Sequence, residues 1–113
     1  MKIINQTQQT IIAENVQTAS TFKSRLIGLL KHQSLPPSHA LIITRCQSIH
    51  MFFMRFNIDV LFVDKDNKIT GIVENIKPFE ISPIFLKASY AIELPAGTIK
   101  KSLSSVGNKL ILE

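Results

Sequence analysis

Short apolar runs, separated by polar residues and turn signals, dominate this sequence and predict a chain built mainly from β-strands. The clearest run is 58–64, in which alternate residues point to opposite faces of an extended strand. A turn cluster at 64–67 and a second apolar run at 68–76 follow it, which predicts a hairpin. The other predicted strands are 2–5, 10–16, 40–44, 90–94 and 109–112.

Two segments carry helical rather than strand spacing. The segment 20–31 repeats apolar residues at intervals of four, three and one from Phe22, and the prolines at 36–37 prevent its continuation. The second helix is predicted to begin at Thr98 as its N-cap, with Ile99, Leu103 and Val106 on one face. The pattern therefore predicts a mostly β fold with minor α, a single compact β-sandwich or barrel-like domain of six to seven short strands plus two short helices.

Length and charge limit the number of domains and the kinds of partner that we expect. The chain has 113 residues and a mass of 12.7 kDa, which predicts one domain over 1–113. Its net charge is +5, but the basic residues are scattered and accompany no nucleic-acid-binding motif, so we do not expect nucleic acid as a partner. No apolar run approaches the ~20 residues of a membrane span, and the N-terminus lacks the apolar centre of a signal peptide, which predicts a cytoplasmic protein.

Candidate chemistry is concentrated between Cys46 and Asp64. Cys46, His50 and Met54 recur every four residues and are ligand types that suit copper. The set is incomplete, because a second histidine would have to come from His32 or His39 in another segment. Cysteine and methionine are also ordinary core residues, so no metal or cofactor is predicted and copper binding is kept as an alternative. Cys46 could also be a nucleophile with His50 as its base, but no sequence signature of a thiol enzyme surrounds the pair.

Two acids lie inside apolar strands. Asp59 sits in the run 58–63, where an ionised carboxylate requires partners, such as backbone N–H groups or the guanidinium of Arg45 or Arg55. Glu93, between Ile92 and Leu94, poses the same question. Placed on neighbouring strands, the two acids would form the pair used by glycosidases, and the competing interpretation is a structural role for each.

The segment His50–Phe56 is too apolar to hide on one face of any regular element. Some of its Met and Phe side chains must pack into the core, while others reach a groove or a partner. Met-rich aromatic surfaces adapt to varied ligands, and Arg55 among them can anchor an anionic group. An exposed apolar patch in this region would indicate a site for a protein or small ligand.

Several stretches together resemble a small prokaryotic family, the domain of unknown function 192. The matching stretches are 25–30, 46–50, 54–56, 58–60 with Phe62 and Asp64, 77–78, 93–98 and 107–110. The combination of Ile-Asp-Val at 58–60 with Glu-Leu-Pro-Ala-Gly-Thr at 93–98 is specific to this resemblance. Asn57 stands where the family usually has proline, and Asn108 where it usually has aspartate. The resemblance implies a mostly β, sandwich-like fold and carries no established activity, substrate or cofactor.

The leading hypothesis is a protein of uncharacterised function that acts as a small non-catalytic binding or accessory module. Its groove would lie near residues 46–59 and 93, and its partner would be a small ligand or a protein. The candidate ligand-binding residues are His50, Met54, Arg55, Asp59 and Glu93, and no catalytic residue is assigned. One alternative is an enzyme acting on a carbohydrate or other small polar substrate through Asp59 and Glu93. The other is a copper-binding protein using Cys46, His50 and Met54.

Overall fold

Eight strands and one short helix are present in the computed structural model, which describes residues 1–19, 35–52 and 54–113. The strands are β1 (Ile3–Asn5), β2 (Thr10–Ala13), β3 (Asn15–Ala19), β4 (His39–Thr44), β5 (Ile58–Val63), β6 (Ile69–Ile76), β7 (Tyr90–Pro95) and β8 (Leu110–Leu112), and the helix is α1 (Thr98–Lys101). The mostly β prediction is confirmed, with one strand more than expected. The helix predicted at 20–31 lies outside the described residues.

The strands form two sheets. A three-stranded sheet has the order β2-β1-β8, and a five-stranded sheet has the order β3-β4-β7-β5-β6. Neighbouring strands are antiparallel except β3 and β4, which are parallel. β5 and β6 form the predicted hairpin around the turn at 64–68. β7, the central strand of the larger sheet, therefore lies between β4 and β5.

Each face of the five-stranded sheet carries its own apolar core. Leu61, Ile92 and Leu94 on one face pack with the smaller sheet and α1, and we call this cluster the sandwich core. Val60 and Phe62 on the other face pack beneath the segments that follow β4 and β6, and we call that cluster the loop-covered core. All six residues of β5 are consequently buried. Burial on both faces explains why this strand was the clearest run in the sequence.

The predicted strand at 10–16 is wrong as a single element. Thr10–Ala13 pairs with β1 in the smaller sheet, whereas Asn15–Ala19 pairs with β4 in the larger one. The chain changes sheet at Glu14, where the backbone N–H groups of Glu14 and Asn15 both donate to the carbonyl of Ser38, at 2.9 and 3.0 Å. Apolar alternation continues through such a crossing, so the pattern alone did not reveal it.

The predicted face of the last helix is also wrong. α1 ends at Lys101, Leu103 has a left-handed φ of 58°, and the side chains of Leu103 and Val106 are each 60% exposed. The hydroxyl of Ser102 donates to the carbonyl of Thr98 at 2.8 Å, and the turn continues into a buried polar group rather than an apolar stripe. In that group the Asn5 side-chain amide donates to Ser104 Oγ and Asn108 Oδ1, at 3.1 and 3.0 Å. None of the helices within the described ranges has the length and apolar character to cross a membrane.

Tyr90 ties the central strand to the hairpin turn. Its hydroxyl donates to Asn67 Oδ1 at 2.9 Å. Burial, and secondarily the nearby Asp64 carboxylate, raise the pKa of Tyr90 to about 12 from the ordinary value of 10.0.

The free energy of unfolding is therefore expected to fall as the pH rises from about 10 to about 12, because the unfolded chain releases the tyrosine proton first. The contribution is fully present below the lower of these two pKa values and is lost as the pH approaches the higher one. Tyr90 is the only tyrosine, so tyrosinate absorbance reports it alone. A Tyr90→Phe variant should lack this part of the decline, and an equal decline in the variant would contradict the assignment.

Candidate functional site

Two segments that cover the five-stranded sheet are hydrogen-bonded to each other. The Met51 N–H donates to the Glu80 carbonyl at 2.8 Å, the Ser82 N–H to the Ile49 carbonyl at 2.8 Å, and the Phe85 N–H to the Gln47 carbonyl at 2.8 Å. His50 and Ile81 form an isolated antiparallel bridge. We call the paired residues 47–52 and 79–85 the loop ribbon.

The inner face of the loop ribbon belongs to the protein interior. Ile49 and Met51 are buried in the loop-covered core. Ser82, opposite Ile49, is buried as well, and its hydroxyl accepts the N–H of Ile49 at 2.8 Å. These contacts fix the ribbon onto the sheet and set the direction of its alternate side chains.

The outer face of the loop ribbon is also apolar. His50 and Ile81 are bridge partners and therefore lie on the same side. Phe52 comes two residues after His50 and Phe79 two residues before Ile81, each in a turn next to the bridge, and Phe79 has a left-handed φ of 70°. The rings of His50 and Phe52 are 4.9 Å apart. Phe52, Phe79 and Ile81 are 40%, 74% and 64% exposed. A solvent-facing ribbon normally carries polar residues here, so this face is unusual.

Ile84, near the end of the loop ribbon, and Leu86, just after it, add two more exposed apolar side chains. Phe85 between them turns inward and stacks on Phe62, with 4.5 Å between the ring centroids. Phe85 also fills the space above Gly71, where any Cβ atom would meet its ring. Ile84 and Leu86 are consequently left 67% and 79% exposed. We call Phe52, Phe79, Ile81, Ile84 and Leu86 the exposed apolar surface.

Asp59 is buried, and backbone groups occupy its carboxylate. Oδ1 accepts the N–H of Asn75 at 2.8 Å, and Oδ2 accepts those of Gly97 and Ile99 at 3.0 and 2.9 Å. Asn75 lies where the β5–β6 register shifts and has a left-handed φ of 53°. Gly97 is the N-cap residue of α1, with no side-chain cap of its own. Asp59 therefore stabilises both a β-bulge and the start of α1. At the start of α1 it accepts the N–H groups that an N-cap side chain usually accepts.

Glu93 lies on the other face of the same sheet. In the β5–β7 register Asp59 is opposite Leu94, while Glu93 is opposite Val60, so the two carboxylates project to opposite sides. Glu93 is fully buried on the central strand, on the side of the loop-covered core, rather than at the sheet rim. The structure does not bring the two acids together, and a paired acid–base arrangement requires that they face one cavity.

The three candidate copper ligands, Cys46, His50 and Met54, do not lie on one face of a strand. Cys46 and His50 lie between β4 and β5, and the Cys46 thiol donates to the carbonyl of Ser48 at 3.2 Å. Met54 is buried in the loop-covered core, whereas His50 is on the outer face of the loop ribbon. Among the residues that the structure describes, no three His, Cys, Asp or Glu side chains are grouped so that they could hold a metal ion.

Arg55 is exposed. The predicted site residues therefore occupy different environments: Met54, Asp59 and Glu93 are internal, and His50 and Arg55 lie towards the surface. The exposed residues at 79–86 were missed at the sequence level. Five large apolar residues between Lys77 and Lys87, in a segment broken by two prolines, are the signal that could have identified them.

The family follows from comparison with known proteins. A family model for the domain of unknown function 192, described as Uncharacterized ACR, matches residues 3–112. The chain belongs to this family. The resemblance seen in the sequence is confirmed over nearly the whole chain, and the description of the family assigns it no activity.

Relatives and solved structures agree with this membership in the domain of unknown function 192 family. The UPF0127 protein of Pyrococcus abyssi is 33% identical over 114 residues, covering 96% of this chain and 94% of that protein. The UPF0127 protein of Pyrococcus furiosus is 30% identical, covering 96% and 95%. A Novosphingobium aromaticivorans protein of unknown function shares the fold, with a TM-score of 0.80, 17% identity and coverage of 98% and 82%. A Sinorhizobium meliloti protein, provisionally described as a transcription regulator, has a TM-score of 0.76, 25% identity and coverage of 97% and 89%.

Proposed function

We propose that this protein is a non-catalytic binding module that docks a partner molecule on its exposed apolar surface. The observation that supports the proposal is a group of five large apolar side chains exposed on two hydrogen-bonded segments. Monomeric proteins rarely leave contiguous apolar areas of this kind in water unless the area is used for binding. Covering such side chains stabilises a complex by about 25 cal/mol per Å² of apolar surface removed from water.

The docking surface is held in place before any partner arrives. Ile49, Met51 and Phe85 anchor it from below, and the backbone pairs of the loop ribbon fix its shape. A surface that is ordered in advance loses less conformational entropy on binding than a flexible loop does. His50 and Arg55 are the predicted site residues that we assign to this surface and its margin.

The enzyme alternative has less support. Each oxygen of Asp59 accepts at least one backbone N–H, and Glu93 projects to the opposite side of the sheet. Neither arrangement favours a pair of carboxylates working on one substrate. The Sinorhizobium meliloti relative suggests regulation. The exposed side chains of this surface are apolar, and the basic residues beside it accompany no nucleic-acid-binding motif, which favours a partner other than nucleic acid.

We place the module in the cytoplasm as part of the same proposal. The single cysteine calls for no oxidising compartment, and the Cys46 thiol is partly buried. Fractionation of the source cells, with the native protein detected by antibody, tests this location. Recovery from the culture medium would contradict it.

The docking surface is tested with a Phe79→Ser and Leu86→Ser double variant. We expect earlier elution from a hydrophobic-interaction column and a several-fold loss of fluorescence enhancement with an apolar dye such as bis-ANS, because both probes bind exposed apolar area. Val106→Ser, at a side chain that is 60% exposed elsewhere on the molecule, is the matched control. Equal dye binding and elution for the double variant and the control would refute the proposed surface.

A further inference from the structure

We infer that the partner of the exposed apolar surface is an anionic lipid bilayer, into whose interfacial region the loop carrying Phe79, Ile81, Ile84 and Leu86 inserts. This inference rests on the proposed function, since it names the partner for the same surface. The shape of the surface and the charges around the loop support it.

The shape of the surface suits a bilayer. The four loop side chains are 64–79% exposed and project into solvent, and the depression that Ile84 and Leu86 border beside Phe85 is open. A protein partner for such a protrusion needs a matching cavity, whereas the fluid interface of a bilayer accepts projecting apolar side chains without one. Phe, Ile and Leu are the residue types that bury favourably at the boundary between headgroups and acyl chains.

The charges around the surface favour negative lipids. Lys77 and Lys87 bracket the loop, and both are exposed, as is Arg55 on the neighbouring segment. Glu80 is the single acid between the two lysines, and its Oε1 accepts the backbone N–H of Lys77 at 2.7 Å. Lysine can extend its ammonium group to the headgroups while its methylene stem lies along apolar surface. Basic residues beside an inserted apolar segment strengthen binding to anionic leaflets.

The inference is tested by flotation of the full chain with vesicles. We expect binding to vesicles that contain phosphatidylglycerol, weaker binding to pure phosphatidylcholine, and a loss of about tenfold or more in the Phe79→Ser and Leu86→Ser double variant. A Lys77→Gln and Lys87→Gln variant should bind several-fold more weakly and respond less to salt. Val106→Ser, and Lys100→Gln with Lys101→Gln, should bind like the unaltered protein, because both changes lie outside the loop.

The outcomes separate this inference from the proposed function. Absence of binding to phosphatidylglycerol vesicles, or equal binding by the double variant, overturns the bilayer as partner. If the double variant nevertheless loses dye binding, the docking surface stands and its partner is of another kind. If the unaltered protein dimerises in sedimentation experiments and the double variant does not, the partner is a second copy of the chain and not a bilayer. Equal affinity for phosphatidylcholine vesicles would overturn the preference for anionic lipid.

Discussion

Replacing Asp59 with alanine is expected to lower the free energy of unfolding by about 3–5 kcal/mol. The side chain is buried and accepts three backbone N–H groups, those of Asn75, Gly97 and Ile99. Its removal leaves these donors without an acceptor at two structural features, the bulge in β6 and the start of α1. Asp59→Asn should lose much of the same stability, since its amide group places a donor where the carboxylate accepts. Chemical denaturation monitored by circular dichroism measures both values.

Asp64 offers a matched control for this experiment. Its Oδ1 also accepts backbone N–H groups, those of Asp66 and Lys68 at 2.8 and 3.0 Å, but in a hairpin turn open to solvent. Asp64→Ala should cost about 1 kcal/mol or less, because water can replace the lost acceptor. A loss for Asp59→Ala no larger than that for Asp64→Ala would show that the buried carboxylate does not hold the bulge and α1 as described.

Replacing Phe62 with alanine is expected to cost about 3–5 kcal/mol, the range for truncating a fully buried phenylalanine. Phe62 is 0% exposed, and its ring stacks on that of Phe85. Its loss creates a cavity in the loop-covered core and removes the support beneath the segment that carries Ile84 and Leu86. We therefore also expect faster hydrogen exchange at the Phe85 N–H, which donates to the Gln47 carbonyl.

Phe52→Ala is the control for this truncation, because Phe52 is 40% exposed on the outer face of the loop ribbon. We expect this change to alter stability by about 0.5 kcal/mol or less, as for most surface substitutions. If the two variants lose equal stability in the same denaturation experiment, the conclusion that Phe62 is a core residue and Phe52 a surface residue is wrong.

The sequence was most informative where burial imposes a pattern. The run at 58–63 was identified as a strand because both of its faces are apolar, and Asp59 stood out as an acid that needed partners. The sequence could not identify the hydrogen-bond donors to Asp59, because Asn75, Gly97 and Ile99 come from later parts of the chain that only the tertiary fold places beside β5. The separation of Asp59 from Glu93 likewise depends on the β5–β7 register, which no local pattern encodes.

Apolar spacing misled where it did not correspond to burial. Leu103 and Val106 continue a helical interval from Ile99, yet only Ile99 is buried, because Ser102 and Ser104 direct the chain into a polar network with Asn5. The residues at 79–86 have no regular period, since Pro83 interrupts the alternation between Ser82 and Phe85. Their exposure follows from the inward positions of Ser82 and Phe85, which only the pairing with 47–52 determines.

Insertion of the exposed apolar surface into an anionic bilayer is tested most directly by a fluorescent label on that surface. An environment-sensitive probe such as NBD can be attached to Ile84→Cys in a Cys46→Ala background, because Cys46 is the only native cysteine. Val106→Cys, exposed outside the surface, carries the same label as a control. On addition of phosphatidylglycerol vesicles we expect a blue shift and a several-fold increase in emission at position 84, with no change at position 106. No response at position 84, or equal responses at the two positions, would contradict insertion through this surface.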